Sequence, residues 1–138
     1  MQVFIVGTQF VPAAALDRKR LAKQIIECCQ MLGAIKGEYK GYRNHPCTIQ
    51  YKNHTKWLEH YFVCLEYYRV GNFIMAKKYS DAAEAIKPYW HTQDYFDNMK
   101  RRLYTKNHEH YKQWESLGES YENWYWVDNQ WTIYKQKQ

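Results

Sequence analysis

The chain has 138 residues, of which 46% are hydrophobic and 25% charged, and its net charge is +6. That is the length and composition of one globular domain, 1–138, with a core of moderate size. The opening MQVFIVGTQF carries no basic leader, and its apolar run is too short for a signal peptide or a membrane span. A cytoplasmic, monomeric protein away from membranes is therefore expected, and its basic balance favours a polyanionic partner, nucleic acid first. Aromatic residues reach 18%, with 14 Tyr, 6 Trp and 5 Phe, so some rings are expected to face a ligand rather than a core.

In chain order, residues 1–12 are apolar and end at Pro12, which predicts an extended arm. A helix is predicted from Ala13 to Ile35, because Leu21, Ile25, Cys28, Leu32 and Ile35 recur at steps of four and three. Cys28 and Cys29 project about 100° apart on such a helix and no CxxC pair exists, so reduced thiols are expected rather than a disulfide framework or a zinc knuckle. Gly37 and Gly41 break the pattern, and Asn44 with Pro46 start the next helix. That helix is expected in two pieces, 46–51 and 55–70, the second carrying Leu58, Tyr61, Phe62, Leu65 and Tyr68 on one face and stopping at Gly71 or Asn72. Ser80 or Asp81 caps a short helix ended by Pro88, and a further helix starts at Asp94 with a break near Asn107. The tail from Ser120 is aromatic and β-prone, and extended, irregular structure wrapping the domain is expected. The fold class is mainly α, a compact helical bundle with an extended N-terminal arm.

Two polar patches carry chemistry. At about 100° per residue, Arg20, Lys23, Gln24, Glu27 and Gln30 share one sector beside the apolar stripe of the first helix. A lone carboxylate among cations stays ionised and can accept a proton or stabilise a developing positive charge. A solvated helix face with Lys23 pairing to Glu27 accounts for the same pattern. The second patch, MKRRLYTKNHEHYKQW, sets five cations (Lys100, Arg101, Arg102, Lys106 and Lys112) against one acid, Glu109, with Tyr104, Tyr111 and Trp114 interleaved. Cations position phosphates and rings stack on displaced bases, although a plain solvated basic helix has the same composition. His108 and His110 have no obvious third ligand nearby, so no metal is called for.

Together these patches resemble the small pyrimidine-dimer DNA glycosylases of the phage ultraviolet-endonuclease type and their bacterial relatives. The resemblance rests on LDRKRLAKQ followed by Glu27 and Gln30, on GYRNHP, on RRLYTKNHEHY and on NWYWV, in order from Met1 to about Val127. It implies a compact helical enzyme that binds kinked double-stranded DNA, releases the damaged pyrimidine and nicks the strand by β-elimination, with neither metal nor cofactor. The family's nucleophile is the chain's own α-amine, which would here belong to Met1, because Gln2 is too bulky for usual removal of the initiator. An ordinary α-amine has a pKa near 8, so roughly a tenth is neutral and nucleophilic at pH 7. Glu27 takes the place of the family's glutamate. Arg18, Arg20, Lys23, Gln24, Gln30, Arg43, Asn44, His45, Arg102 and Lys106 are the expected DNA contacts. Gln30 and Ile26 stand where the phage enzyme has arginines, and Met99 with Lys100 replaces a His-Arg pair, which leaves the lesion open. A glycosylase for another modified pyrimidine, or a non-catalytic DNA-binding module on the same scaffold, fits the same residues.

Overall fold

A computed structural model describes residues 1–7, 11–38 and 40–135. It is mainly helical: α1 (Val11–Ala15), α2 (Arg18–Ile35), α3 (Pro46–Tyr51), α4 (Thr55–Arg69), α5 (Phe73–Ala85) and α6 (Gln93–Lys106) are followed by a 3-10 helix (Lys112–Leu117) and the strands β1 (Glu122–Val127) and β2 (Gln130–Lys135). Among the described residues no helix is long and apolar enough to cross a membrane. None of the four cysteines forms a disulfide, and Cys28, Cys47 and Cys64 are buried.

The periodic stripes set the bundle. Leu21, Ile25, Cys28 and Leu32 of α2 are buried, as are Leu58, Tyr61 and Leu65 of α4, and the two helices pack on each other. Of the arm expected over 1–12, residues 1–6 form neither helix nor strand, residues 8–10 lie outside the described residues, and Val11 and Pro12 already belong to α1; the arm is also buried, with Val3, Phe4, Ile5 and Val6 all at most 5% exposed. Around it the core is aromatic. Tyr51 stacks on Trp57 at 5.1 Å, His91 on Tyr95 at 5.0 Å, and Tyr95 on Trp131 at 5.7 Å. The buried polar tips satisfy one another, since the Tyr51 hydroxyl lies 2.9 Å from His91 Nε2 and 3.2 Å from the Tyr95 hydroxyl, which donates to the Val3 carbonyl. Burial pushes the His91 imidazole down to about 3, so it sits in this network neutral. Trp57 and Trp90 belong to the core, and the other four tryptophans are half-buried.

Three boundaries differ from expectation. The first helix divides into α1 and α2, because Asp17 adopts extended backbone (φ −66°, ψ 160°). Its N–H donates to the Tyr111 hydroxyl at 2.8 Å, and the same hydroxyl donates to its carboxylate, so a ring 94 residues away fixes the break. The helix expected to start near Ser80, α5, starts at Phe73 instead, capped by the Asn72 side chain, which accepts from the Met75 N–H at 3.2 Å. Phe73 and Ile74 are 55% and 85% exposed, so the helix shows no apolar stripe over its first turn. The break at Asn107 is where the sequence puts it. The tail is more regular than expected: β1 and β2 form an antiparallel hairpin with Trp126 opposite Trp131 and Val127 opposite Gln130. Asp128 and Asn129, at φ 53° and 63°, make the two-residue left-handed turn that such a hairpin requires.

Candidate active site

Helical spacing brings Arg20, Lys23 and Glu27 to one side of α2, and Arg102 and Lys106, four apart, to one side of α6. These two rows, the N-terminal arm and β1 enclose a cavity of about 110 Å³ lined by Met1, Gln2, Phe4, Arg20, Lys23, Glu27, Arg102, Lys106 and Asn123. Larger depressions exist, one of about 440 Å³ beside Gln50 and Trp126 and one of about 640 Å³ beside Arg18 and Arg69. Neither sets a carboxylate against an amine and a ring of cations. The small cavity does: five basic groups (the Met1 amine, Arg20, Lys23, Arg102 and Lys106) surround the one carboxylate of Glu27.

The electrostatics follow from that crowding. Burial raises the Glu27 carboxyl above its ordinary range, against the opposing pull of the Met1 amine, Lys23, Arg20 and Lys106. A raised pKa makes this carboxylate a stronger proton acceptor than an exposed one. At the cavity rim Lys106 keeps an exposed side chain, yet partial withdrawal from water and the neighbouring Arg20, Arg102 and Lys23 push its ammonium down to about 8. Arg102 is only 3% exposed and donates from Nη1 to the Ser120 carbonyl at 3.0 Å. Its Nε, and Oδ1 of Asn123, another residue of the cavity lining, are buried without a hydrogen-bond partner. Two orphaned polar atoms at one cavity favour a polar ligand that supplies both an acceptor and a donor.

The arm is held by groups that sequence reasoning placed elsewhere or missed. Gln24, expected at the DNA face, is 1% exposed: its Nε2 donates to the Gln2 carbonyl at 2.9 Å, and its Oε1 accepts from the Phe4 N–H at 2.6 Å and the Tyr61 hydroxyl at 3.0 Å. Its amide is committed to the arm and is not presented to DNA. Tyr125 donates to the Met1 carbonyl, and Asn123 lines the cavity; neither carries a local sequence signal beyond its place in an aromatic tail.

The remaining expected contacts lie around the cavity rather than in it. Arg18 is exposed at the groove it shares with Arg69. Gln30 is half-buried one turn beyond Glu27, and Arg43 and Asn44 are exposed in the turn before α3. His45 caps α3, its Nδ1 accepting from the Cys47 N–H at 3.0 Å, and it meets Tyr125 edge-on at 6.0 Å. Burial, with the positive Met1 amine nearby, lowers the His45 pKa, so this imidazole is a neutral neighbour of the amine. Among the described residues no three His, Cys, Asp or Glu side chains gather as metal ligands would.

No curated protein and no solved structure matches the chain significantly. A family model does, over residues 1–67, which hold the arm, the Glu27 face and the GYRNHP turn, while Arg102, Lys106 and the NWYWV strand lie beyond the match. The model that matches these 67 residues describes pyrimidine dimer DNA glycosylase, the family that the motifs resemble.

Proposed function

We propose that the protein is a DNA repair glycosylase with abasic-site lyase activity, acting on a damaged pyrimidine in double-stranded DNA through the Met1 amine. The observation that carries this reading is the juxtaposition of that amine with Glu27 in one cavity ringed by cations. The neutral amine attacks C1′ of the damaged nucleotide, forming an N–C1′ bond as the glycosidic bond breaks and its electron pair leaves with the base. The attached nitrogen gives up one proton, and the sugar ring opens as the nitrogen lone pair forms the C1′=N bond and O4′ leaves with its electron pair and takes a proton, which gives a protonated imine. Loss of the C2′ proton then expels the 3′ phosphate oxygen with its electron pair, and water hydrolyses the imine to free the amine. Glu27 faces the positive charge that develops on the sugar and carries the protons of these steps. Arg20, Lys23 and Lys106 hold flanking phosphates, and Arg102 with Asn123 binds the reacting nucleotide through the two polar atoms that lack partners. Arg18, Gln30, Arg43, Asn44 and His45 extend the contact surface around the cavity.

Incubation with duplexes holding a thymine dimer, an abasic site or no lesion, scored for strand breaks, tests the reading. Nicking of the first two and not the third is expected. Nicking of none contradicts it, and nicking of abasic DNA alone leaves a lyase that acts on a different lesion.

Lys106 makes the binding pH-dependent. The charged form holds phosphate, and this charge is lost as pH rises through about 8. The salt dependence of duplex affinity should therefore flatten between pH 7 and pH 9, by up to about one unit of log–log slope. Lys106→Arg stays charged throughout, and the flattening it abolishes is the share due to Lys106. Equal pH dependence in the wild type and Lys106→Arg would remove Lys106 from the phosphate contacts.

A further inference from the structure

Every main-chain acceptor of residues 1–3 is held. The Met1 carbonyl accepts from the Tyr125 hydroxyl, the Gln2 carbonyl from Gln24 Nε2, and the Val3 carbonyl from the Tyr95 hydroxyl. Gln2 adds a second kind of anchor through its side chain, which is buried at 1% exposure. Its Nε2 donates to the Trp124 carbonyl and its Oε1 accepts from the Trp124 N–H, both at 3.0 Å. This is the two-bond exchange that a neighbouring strand makes with β1, performed by one side-chain amide. Trp124 lies between Asn123, a wall of the cavity, and Tyr125, which holds the Met1 carbonyl. One clasp therefore fixes both the residue that carries the amine and the strand that faces it.

We infer that Gln2 is a positioning residue: its side-chain amide, docked on Trp124, and its main-chain carbonyl, held by Gln24, set the Met1 amine at attacking distance from the sugar. The inference rests on the proposed nucleophile. It gives the bulky second residue a purpose: it keeps Met1 in place and aims its amine. It also explains how the tail, outside the stretch that matches the family model, serves the chemistry of the first residue. Lys106 is the competing amine. It lines the same cavity with its ammonium lowered to about 8, and it becomes the next nucleophile once the Met1 amine is displaced.

The test is single-turnover trapping with borohydride on abasic-site DNA, with the adduct mapped by peptide mass. The wild type is compared with Gln2→Met, which keeps length and bulk without the amide, and with Gln2→Glu, which keeps the acceptor for the Trp124 N–H. Gln2→Met should trap about 10²-fold more slowly, the loss typical of a misplaced reacting group, and Gln2→Glu about tenfold more slowly. Both should bind DNA as the wild type does, and part of the remaining adduct should move from Met1 to Lys106, a shift that lowered stability alone does not produce. Wild-type trapping rates in folded Gln2→Met, with the adduct on Met1 alone, would overturn the role of Gln2 and leave the enzyme intact. Should Gln2→Met fail to fold, Gln2→Glu decides by the same rate and the same map. No adduct in the wild type contradicts the catalytic reading itself, and Gln2 falls with it.

Discussion

Glu27→Gln is expected to abolish the proposed base release and strand cleavage while leaving fold and DNA affinity near those of the native chain. The swap conserves size and hydrogen bonding and removes the one negative charge facing the developing cation, an effect of about 10²-fold or more in rate. The stability signature runs the other way. Burial raises the folded-state pKa of Glu27, so the folded protein binds the proton more tightly than the unfolded chain. The stability this group contributes is present below its ordinary pKa and is lost as pH rises through the raised folded value. Once ionised, the buried carboxylate is thus a burden on the fold, and Glu27→Gln should melt at the same temperature or higher. Thermal melts and nicking assays on one preparation check both parts. A variant that loses activity because it unfolds, or that nicks at the wild-type rate, returns Glu27 to an ordinary helix face.

Blocking the Met1 amine should impair both proposed chemical steps. Acetylation deletes the nucleophile, and residues added ahead of Met1 displace it from a cavity of only about 110 Å³. Either change should slow cleavage of abasic DNA by about 10²-fold or more, leaving at most the slow reaction of Lys106. DNA affinity should fall only modestly, because four of the five basic groups remain. Full cleavage by an acetylated chain would mean that a lysine is the nucleophile.

Much of this arrangement was legible in the sequence because it obeys helical spacing. The stripe from Leu21 to Leu32 is buried, and Arg20, Lys23 and Glu27, read as one sector beside it, line one cavity with Arg102 and Lys106. Gln24 shares the sector and has the opposite role. A glutamine beside an apolar stripe reads as surface, and its burial depends on arm backbone some twenty residues away that offers both a donor and an acceptor. The split at Asp17 was illegible for a similar reason, since the hydroxyl that stabilises it comes from Tyr111. The start of α5 was hidden because Phe73 and Ile74 face solvent, so no apolar period announces the helix. The arm was read as extended from its composition, but its passage through an aromatic core depends on Tyr61, Tyr95 and Tyr125, whose hydroxyls point to partners that only the fold supplies.

The central claim, that the chain's first amine does the chemistry, is most directly tested by trapping the native protein on thymine-dimer and abasic-site duplexes with borohydride. Reduction fixes the imine as a stable amine, and mass mapping of the cross-linked peptide locates it. The account predicts one adduct per chain on both substrates, on the α-amine of Met1. An adduct on Lys23, Lys106 or any other side chain, or turnover of either duplex without a trappable adduct, would contradict it.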